Sequence, residues 1–297
     1  MNPPGAMLAA TDFSAPSRHA ADRAARLARE TGMSLTLIHA LSSRVFDELR
    51  LWLGAAHQAE PQLVAETGQQ LKQLADELAA AQQVTVQCCL ATGPVLDVIS
   101  QQAEDINAGL LVLGARGAGF LRRLVLGSTS ERLLRRSTRS LLVVKQMPRA
   151  PYRRALVALD FSPWSAQSIA LARCVAPQAR LLLLTAFEVP FEGRLRLAGV
   201  DTPTIEHYRQ QARGKARKQL DKLALQADLQ PEQWDACVIE GQAWQCIVEQ
   251  EKLRHCDLVV IGKHGQSAAE ELLLGSVTKS VLSEGSCDVL VSMAHTR

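Results

Sequence analysis

Two glycine-rich stretches carry the residues best suited to chemistry. Gly114-Ala115-Arg116-Gly117 is followed, after nine residues, by Gly127-Ser128-Thr129-Ser130; Gly262-Lys263-His264-Gly265 is followed at the same spacing by Gly275-Ser276-Val277-Thr278. Glycines permit positive φ and let a backbone approach a ligand closely, while free N–H groups and hydroxyls at a helix start coordinate anions. The pattern G-x2-G-x9-G-[ST] therefore reads as a phosphate-binding arrangement, and its repetition is stronger evidence than a lone glycine turn. Asp12 and Asp160 each close an apolar run. A carboxylate at such a strand end can accept from a ribose hydroxyl or an adenine amino group, or it can simply cap the following turn. Neither glycine cluster ends in Gly-Lys-Ser/Thr, and no G-x-G-x-x-G follows the first apolar run, which argues against a P-loop NTPase and a dinucleotide dehydrogenase.

These residues belong to a tandem repeat. Asp12, Gly93, Gly114, Gly117 and Gly127 reappear 148 residues later as Asp160, Gly241, Gly262, Gly265 and Gly275. One offset held over that distance means two copies of a single folding unit, so a site in one copy must be sought in the other. In the first copy the apolar runs Ala6–Ala10, Leu35–Ala40, Val84–Leu90, Leu110–Leu113 and Ser140–Lys145 read as strands. Between them, Ala20, Ala24, Leu27 and Ala28 recur at helical spacing after a cap at Ser14 with Pro16 in the first turn, and Pro61–Gln82, Pro94–Ala103 and Gly127–Arg136 read as further helices. The second copy repeats the order: strands at Ala155–Leu159, Leu181–Ala186, Ala236–Ile239, Leu258–Ile261 and Asp288–Ser292, with helices from about Ser165, over Ile205–Gln226, after Gly241 and from about Ser276. Strands that alternate with helices and are apolar throughout predict a parallel sheet covered on both faces. Each copy is thus expected to be a doubly wound, Rossmann-like α/β domain with an open five-stranded parallel sheet. Two prolines in Gln146–Pro151 put the boundary near 149, giving domains 1–148 and 149–297.

Length and composition agree. At 297 residues the chain has room for about two domains, and 47% hydrophobic with 21% charged residues is an ordinary globular composition. A net charge of +3 does not by itself argue for nucleic acid or a membrane. The first 30 residues lack an apolar signal core and no run of 18 apolar residues occurs, so a cytoplasmic protein is expected. The seven cysteines form no C-x-x-C pair and read as reduced, mostly buried thiols. Arg209, Arg213 and Arg217 form a stripe on the long helix of the second copy. Without an aromatic stacking platform, that stripe reads as a solvated face rather than a nucleic-acid surface.

Over nearly its whole length, twice, the chain resembles the universal stress protein (UspA-type) family in its tandem form. The resemblance rests on the strand-end aspartate, the glycine signature and the closing patterns Ser140-Leu-Leu-Val-Val and Cys287-Asp-Val-Leu-Val. It implies an adenine nucleotide, ATP first with AMP or ADP as alternatives, and Mg²⁺ held through the phosphates, because no carboxylate cluster suits a protein-built metal cage. In the first copy it implies Asp12 at the base or ribose and Ala40 beside the adenine. Leu113, Gly114, Arg116 and Gly117 would surround the ribose and phosphates, and Gly127, Ser128, Thr129 and Ser130 the phosphates. In the second it implies Asp160, Ala186, Ile261, Gly262, His264, Gly265, Gly275, Ser276, Val277 and Thr278. Two departures stand out: Thr11 is matched by Leu159, a loss of one hydroxyl near the second site, and Ala108-Gly109 stands where the second copy has Cys256-Asp257. The signature spacers also differ, with Arg122-Arg123 in one copy and Glu270-Glu271 in the other, which favours the triphosphate in the first copy if those side chains face the site.

The function expected is a nucleotide-binding stress or regulatory module without committed turnover, since no general base is paired with a nucleophile. The alternatives are a slow ATPase or phosphoryl-transfer protein in which Ser128 or Ser276 accepts phosphate, and a partner-binding scaffold with vestigial sites. The resemblance further implies that the apolar closing strands pair between the domains as an intramolecular pseudo-dimer, with a homodimer as a further association.

Overall fold

A computed structural model describes residues 5–43, 46, 59–115, 127–189, 197–265 and 274–293. The chain divides into two compact units, Met1–Pro151 and Tyr152–Arg297. The first runs β1 (Ala6–Ala10), α1 (Ala15–Thr31), β2 (Ser34–Leu41), α2 (Ala59–Gln82), β3 (Val86–Thr92), α3 (Val95–Asp105), β4 (Leu110–Gly114), α4 (Ser128–Arg136) and β5 (Ser140–Val144). The second runs β6 (Arg154–Ala158), α5 (Ser165–Val175), β7 (Arg180–Phe187), α6 (Thr202–Gln226), β8 (Trp234–Glu240), α7 (Ala243–Leu253), β9 (Leu258–Gly262), α8 (Ser276–Glu284) and β10 (Asp288–Ser292).

Within the first unit the strand order is β3-β2-β1-β4-β5, and within the second β8-β7-β6-β9-β10. All the pairings inside each unit are parallel. The order therefore reverses between β1 and β4, and between β6 and β9. Because crossovers are right-handed, that reversal sends α1 and α2 to one face and α3 and α4 to the other, and it opens a crevice at the carboxyl ends of the two central strands. The doubly wound α/β class expected from the alternation is the class observed.

The core follows the apolar runs. Met7, Leu8 and Ala9 of β1, Leu110–Leu113 of β4, and Leu181–Leu184 of β7 are buried. Helix α1 fits closely against its sheet because the residues it turns inward are small: Ala20, Ala21, Ala24, Ala25 and Ala28 surround Leu27. Ser14 caps this helix by accepting from the Ser17 N–H, with a proline in the first turn, as expected. The outer strands β3 and β8 depart from the expectation of strands covered on both faces, since each is largely half-exposed. They lie at the end of their unit's sheet and, among the described residues, have a strand neighbour on one side only. Asp257 explains one departure between the copies: its carboxylate accepts from the Arg153 and Arg154 N–H groups at 2.8 and 3.1 Å and holds the start of β6. The backbone bond at this position is common to both units: Gly109 donates its N–H to the Ala6 carbonyl and Asp257 to the Arg154 carbonyl, each at 3.0 Å, so the Asp257 side chain adds its two bonds to a shared frame.

The cysteines are less buried than expected. Cys246, Cys256 and Cys287 are buried, Cys89, Cys174 and Cys237 are half-buried, and Cys88 is exposed; all are free thiols. Burial raises the thiols of Cys88, Cys89, Cys174, Cys237 and Cys246 and pushes Cys256 to about 11, which makes them poor nucleophiles. The arginine stripe on α6 is partly neutralised by its own neighbours. Arg209 binds Glu240 and Glu206, and Arg217 binds Asp221 with its guanidinium 5.9 Å from the Trp234 ring centre. Among the described residues no helix is long and apolar enough to cross a membrane.

Gly93 and Gly241 are repeat landmarks for a conformational reason. Their φ values are 146° and 137°, and a Cβ would lie 3.1 Å from Val98 Cγ2 and 3.2 Å from Cys246 Sγ. Gly93→Ala and Gly241→Ala should each cost about 1–3 kcal/mol. Gly214→Ala, in open space on α6, should instead gain up to about 1 kcal/mol. Urea denaturation of the three variants checks the opposite signs.

Candidate functional site

The second unit contains a cavity of about 620 Å³ at the carboxyl ends of β6, β7 and β9. Every residue that the sequence reading named in this copy lines it: Asp160, Ala186, Ile261, Gly262, His264, Gly265, Gly275, Ser276, Val277 and Thr278. They come from two strand ends, the β6–α5 turn, the loop after β9 and the start of α8. The crevice formed by the strand-order reversal brings them together.

The loop after β9 is tied down on both sides. Lys263 donates its N–H to the Ser292 carbonyl at 2.9 Å, and Gly275 donates its N–H to the Lys263 carbonyl at 3.0 Å. Thr278 Oγ1 donates to the Gly262 carbonyl at 2.8 Å. A Cβ on Gly262 would stand 3.1 Å from the His264 carbonyl oxygen, and one on Gly275 would stand 3.1 Å from the Lys263 carbonyl oxygen. The glycines are therefore needed here for close backbone approach; none of the described signature glycines is among those with positive φ. That corrects the conformational half of the argument made for them from sequence. Thr278 also differs from its expected phosphate role in part, because its hydroxyl proton is committed to Gly262.

Helix α8 begins at Gly275 without a side-chain cap. Its first helical bond runs from the Lys279 N–H to the Gly275 carbonyl. The N–H groups of Ser276, Val277 and Thr278 thus precede the intrahelical ladder and form the positive end of the helix dipole. Ser276 is exposed and Val277 half-buried.

Asp160 serves the turn and the cavity together. Oδ1 accepts from the Ser162 N–H at 3.0 Å and from Ser165 Oγ at 3.3 Å, while Oδ2 lies 3.4 Å from where a Cβ on Gly265 would be. The carboxylate at the end of β6 thereby faces the glycine loop after β9. Phe161, the next residue, has a φ of 62°, a left-handed conformation uncommon for a bulky side chain.

The first unit repeats this frame. Ser130 Oγ donates to the Gly114 carbonyl at 2.9 Å, Gly127 donates its N–H to the Ala115 carbonyl at 2.8 Å, and α4 starts at Gly127 without a side-chain cap. Leu113, Gly114, Gly127 and Ser130 are buried, Ala40 and Thr129 half-buried, and Ser128 exposed. Asp12 is exposed and its Oδ1 accepts from the Ser14 N–H at 3.1 Å and from the Ser14 hydroxyl. Phe13 again has a φ of 62°. Arg116 and Gly117 lie outside the described residues, as do Arg122, Arg123, Glu270 and Glu271.

Thr11, whose hydroxyl was expected near the ligand, keeps it inside the turn: Oγ1 accepts from the Phe13 N–H and lies 3.1 Å from Ser17 Oγ. Sequence reasoning missed His39, whose Nδ1 lies 2.8 Å from the Thr11 carbonyl and whose ring stacks on Phe13 with centroids 4.5 Å apart. It also missed Trp164, Ser165, Ser168, Ala243 and Ile247, which are among the further lining residues in the second unit. A tryptophan at the helix start where the first copy has Pro16 was a visible signal. Ala243 and Ile247 sit on α7 and had none, because only folding brings that helix to the crevice.

Comparison with known proteins follows the same repeat. The sequence model described as the universal stress protein family matches residues 5–145 and again residues 151–292. A universal stress protein of Mycobacterium tuberculosis, Rv2005c, is 28% identical over 205 residues, covering 67% of this chain and 65% of that protein. The chain thus spans about two thirds of the length of that relative. Universal stress protein YxiE of Bacillus subtilis is 30% identical over 145 residues, 47% of this chain and 97% of that protein. The crystal structure of a universal stress protein from Archaeoglobus fulgidus superposes with a TM-score of 0.67 at 17% identity, covering 99% of each chain, a likeness of fold.

His39 supplies a pH test of the first unit. Burial lowers its pKa below the ordinary 6.5, opposed by the Thr11 backbone and by Asp12. The folded state then binds fewer protons than the unfolded state, so the His39 contribution is fully present above pH 6.5 and is lost as pH falls through the lower folded value. His39→Gln should flatten the loss of stability on acidification, read as urea midpoints at pH 7.5 and about 5.5. Equal slopes in parent and variant would contradict this account.

Proposed function

The chain belongs to the universal stress protein family, and we propose that it is a cytoplasmic regulatory protein that binds an adenine nucleotide, ATP in the first instance, without committed turnover. The observation that carries this reading is the cavity at the strand ends of the second unit. It joins a strand-end carboxylate, an apolar floor and the uncapped start of a helix within about 620 Å³, a volume in the usual range for small-molecule sites.

The residues divide the work by chemistry. Asp160 Oδ2 is placed to accept from a ribose hydroxyl or an amino group, while Oδ1 holds the turn. Ala186, Leu184 and Ile261 present apolar surface to a flat base. The backbone of Gly262–Gly265 approaches the sugar and phosphates closely, and the N–H groups of Ser276–Thr278 with the Ser276 hydroxyl face the phosphate charge. Among the described residues no group of three His, Cys, Asp or Glu side chains could hold a metal ion, so Mg²⁺ is assigned to the phosphate oxygens. The first unit has the same frame in Asp12, Gly114 and Gly127–Ser130, with Arg116 and Gly117 proposed from the sequence signature.

Binding without turnover fits the acid–base inventory. Asp160 is the one carboxylate among the cavity's described lining residues, and its Oδ1 is occupied by two donors. Hydrolysis would need a base that positions water against the terminal phosphate.

Freshly purified protein should release adenine nucleotide on denaturation, and calorimetry should show ATP binding that Asp160→Ala weakens by about tenfold or more at the second site. Gly275→Val should block the same site by displacing the Lys263 loop. If Asp12→Ala/Asp160→Ala protein binds ATP as the parent does, the reading is wrong. Phosphoserine at Ser276 in the ATP-treated protein would move it to phosphoryl transfer.

A further inference from the structure

Trp164 stands where a helix start ordinarily carries a capping Ser, Thr, Asp or Asn. It occupies the N-cap position of α5 and makes no side-chain cap bond. The first unit caps the matching helix with Ser14 and carries Pro16 at the position that corresponds to Trp164. Helix capping therefore does not account for the indole. Nor does core packing, since the residue is 38% exposed while forming a wall of the cavity.

The rest of that wall is chemically uneven. Ala158, Leu184, Ala186, Ile247 and Ile261 line it with aliphatic surface, whereas the ionisable lining side chains among the described residues are Asp160 and His264. A ligand here meets much flat apolar surface and little positive charge. An indole at the rim of such a cavity offers a π-face, and stacking on it is worth more to a flat two-ring base than to a phosphate group.

We propose that Trp164 is a specificity-determining residue that stacks on the purine base of the ligand in the second unit, so that this site draws its affinity from the base more than from phosphate charge. The proposal rests on the nucleotide reading above. Its consequence is a functional difference between the units, since Pro16 offers no aromatic face. The second site should discriminate purines from pyrimidines while responding weakly to phosphate number and to salt.

The test uses the full chain carrying Asp12→Ala, which leaves the second site as the intact one, with and without Trp164→Ala or Trp164→Phe. Calorimetry with ATP and with adenosine should show both ligands weakened about tenfold by Trp164→Ala and restored to within about threefold by Trp164→Phe. Adenosine should quench tryptophan fluorescence in the Asp12→Ala parent, and the quench should vanish in Trp164→Phe. A Trp164→Ala protein that binds both ligands as the parent does overturns the stacking role alone. A loss confined to ATP, or one that Trp164→Phe fails to rescue, overturns it in favour of a phosphate or scaffold role. If the parent itself binds neither ligand, the nucleotide reading of the second unit fails, and the stacking proposal with it.

Discussion

The site depends on how a helix start is held against a strand end. The carbonyl of Gly262 closes β9, and a buried carbonyl there without a partner would be costly. Thr278 meets it with its hydroxyl at 2.8 Å, while Gly275 and Lys263 link the same loop to β10. Together these bonds fix where α8 begins and which way its first N–H groups point. The geometry leaves no room for a Cβ at Gly262 or Gly275 without movement of a backbone oxygen. Ser130 and Gly127 hold α4 against Gly114 and Ala115 in the first unit. The same solution recurs with a serine in place of the threonine.

A second constraint faces it across the crevice. Phe13 and Phe161 share a φ of 62°, a strained conformation for a bulky residue that persists only where neighbours enforce it. The enforcing contacts differ in detail: Asp12 and Asp160 each accept from the serine N–H two residues on. Thr11 adds its hydroxyl to the turn in the first unit, and Ser165 binds Asp160 in the second. Thr11 thus spends its hydroxyl inside the turn of the first unit, while Leu159 at the matching position of the second lines the cavity without one. In the second unit the same turn holds the Asp160 carboxylate against the glycine loop, so β6 and β9 contribute to one cavity.

Much of the remaining polar chemistry is structural. Glu251 is buried, and its Oε1 accepts from the N–H groups of Ser286 and Cys287 at 2.8 Å and from the Ser286 hydroxyl, which sets the lead into β10. Tyr152 donates to the buried Asp288 at 2.7 Å at the other end of the second unit's chain. The raised thiols and the ion-paired Arg209 and Arg217 of α6 belong with these groups.

The amino-acid sequence by itself determined the tandem repeat, the strand–helix alternation and the neighbourhood of the site, because apolar periodicity, a constant offset and glycine spacing are local properties that survive without a structure. The position of Gly93 and Gly241 was legible for the same reason: each needs a backbone conformation that its own neighbours cannot supply in another residue. Only the tertiary structure decided what each group does. It showed that Gly262 and Gly275 are required for close approach, that the Thr278 and Ser130 hydroxyls turn inward, and that one oxygen of Asp160 belongs to its own turn. It also brought Trp164 and the α7 residues Ala243 and Ile247 to the cavity. The hydroxyl and carboxylate bonds join residues only two to sixteen positions apart, yet spacing does not say which oxygen a side chain will meet, because that depends on how the turn closes; Trp164 reaches the glycine loop from about a hundred residues away, and only the strand order brings them together.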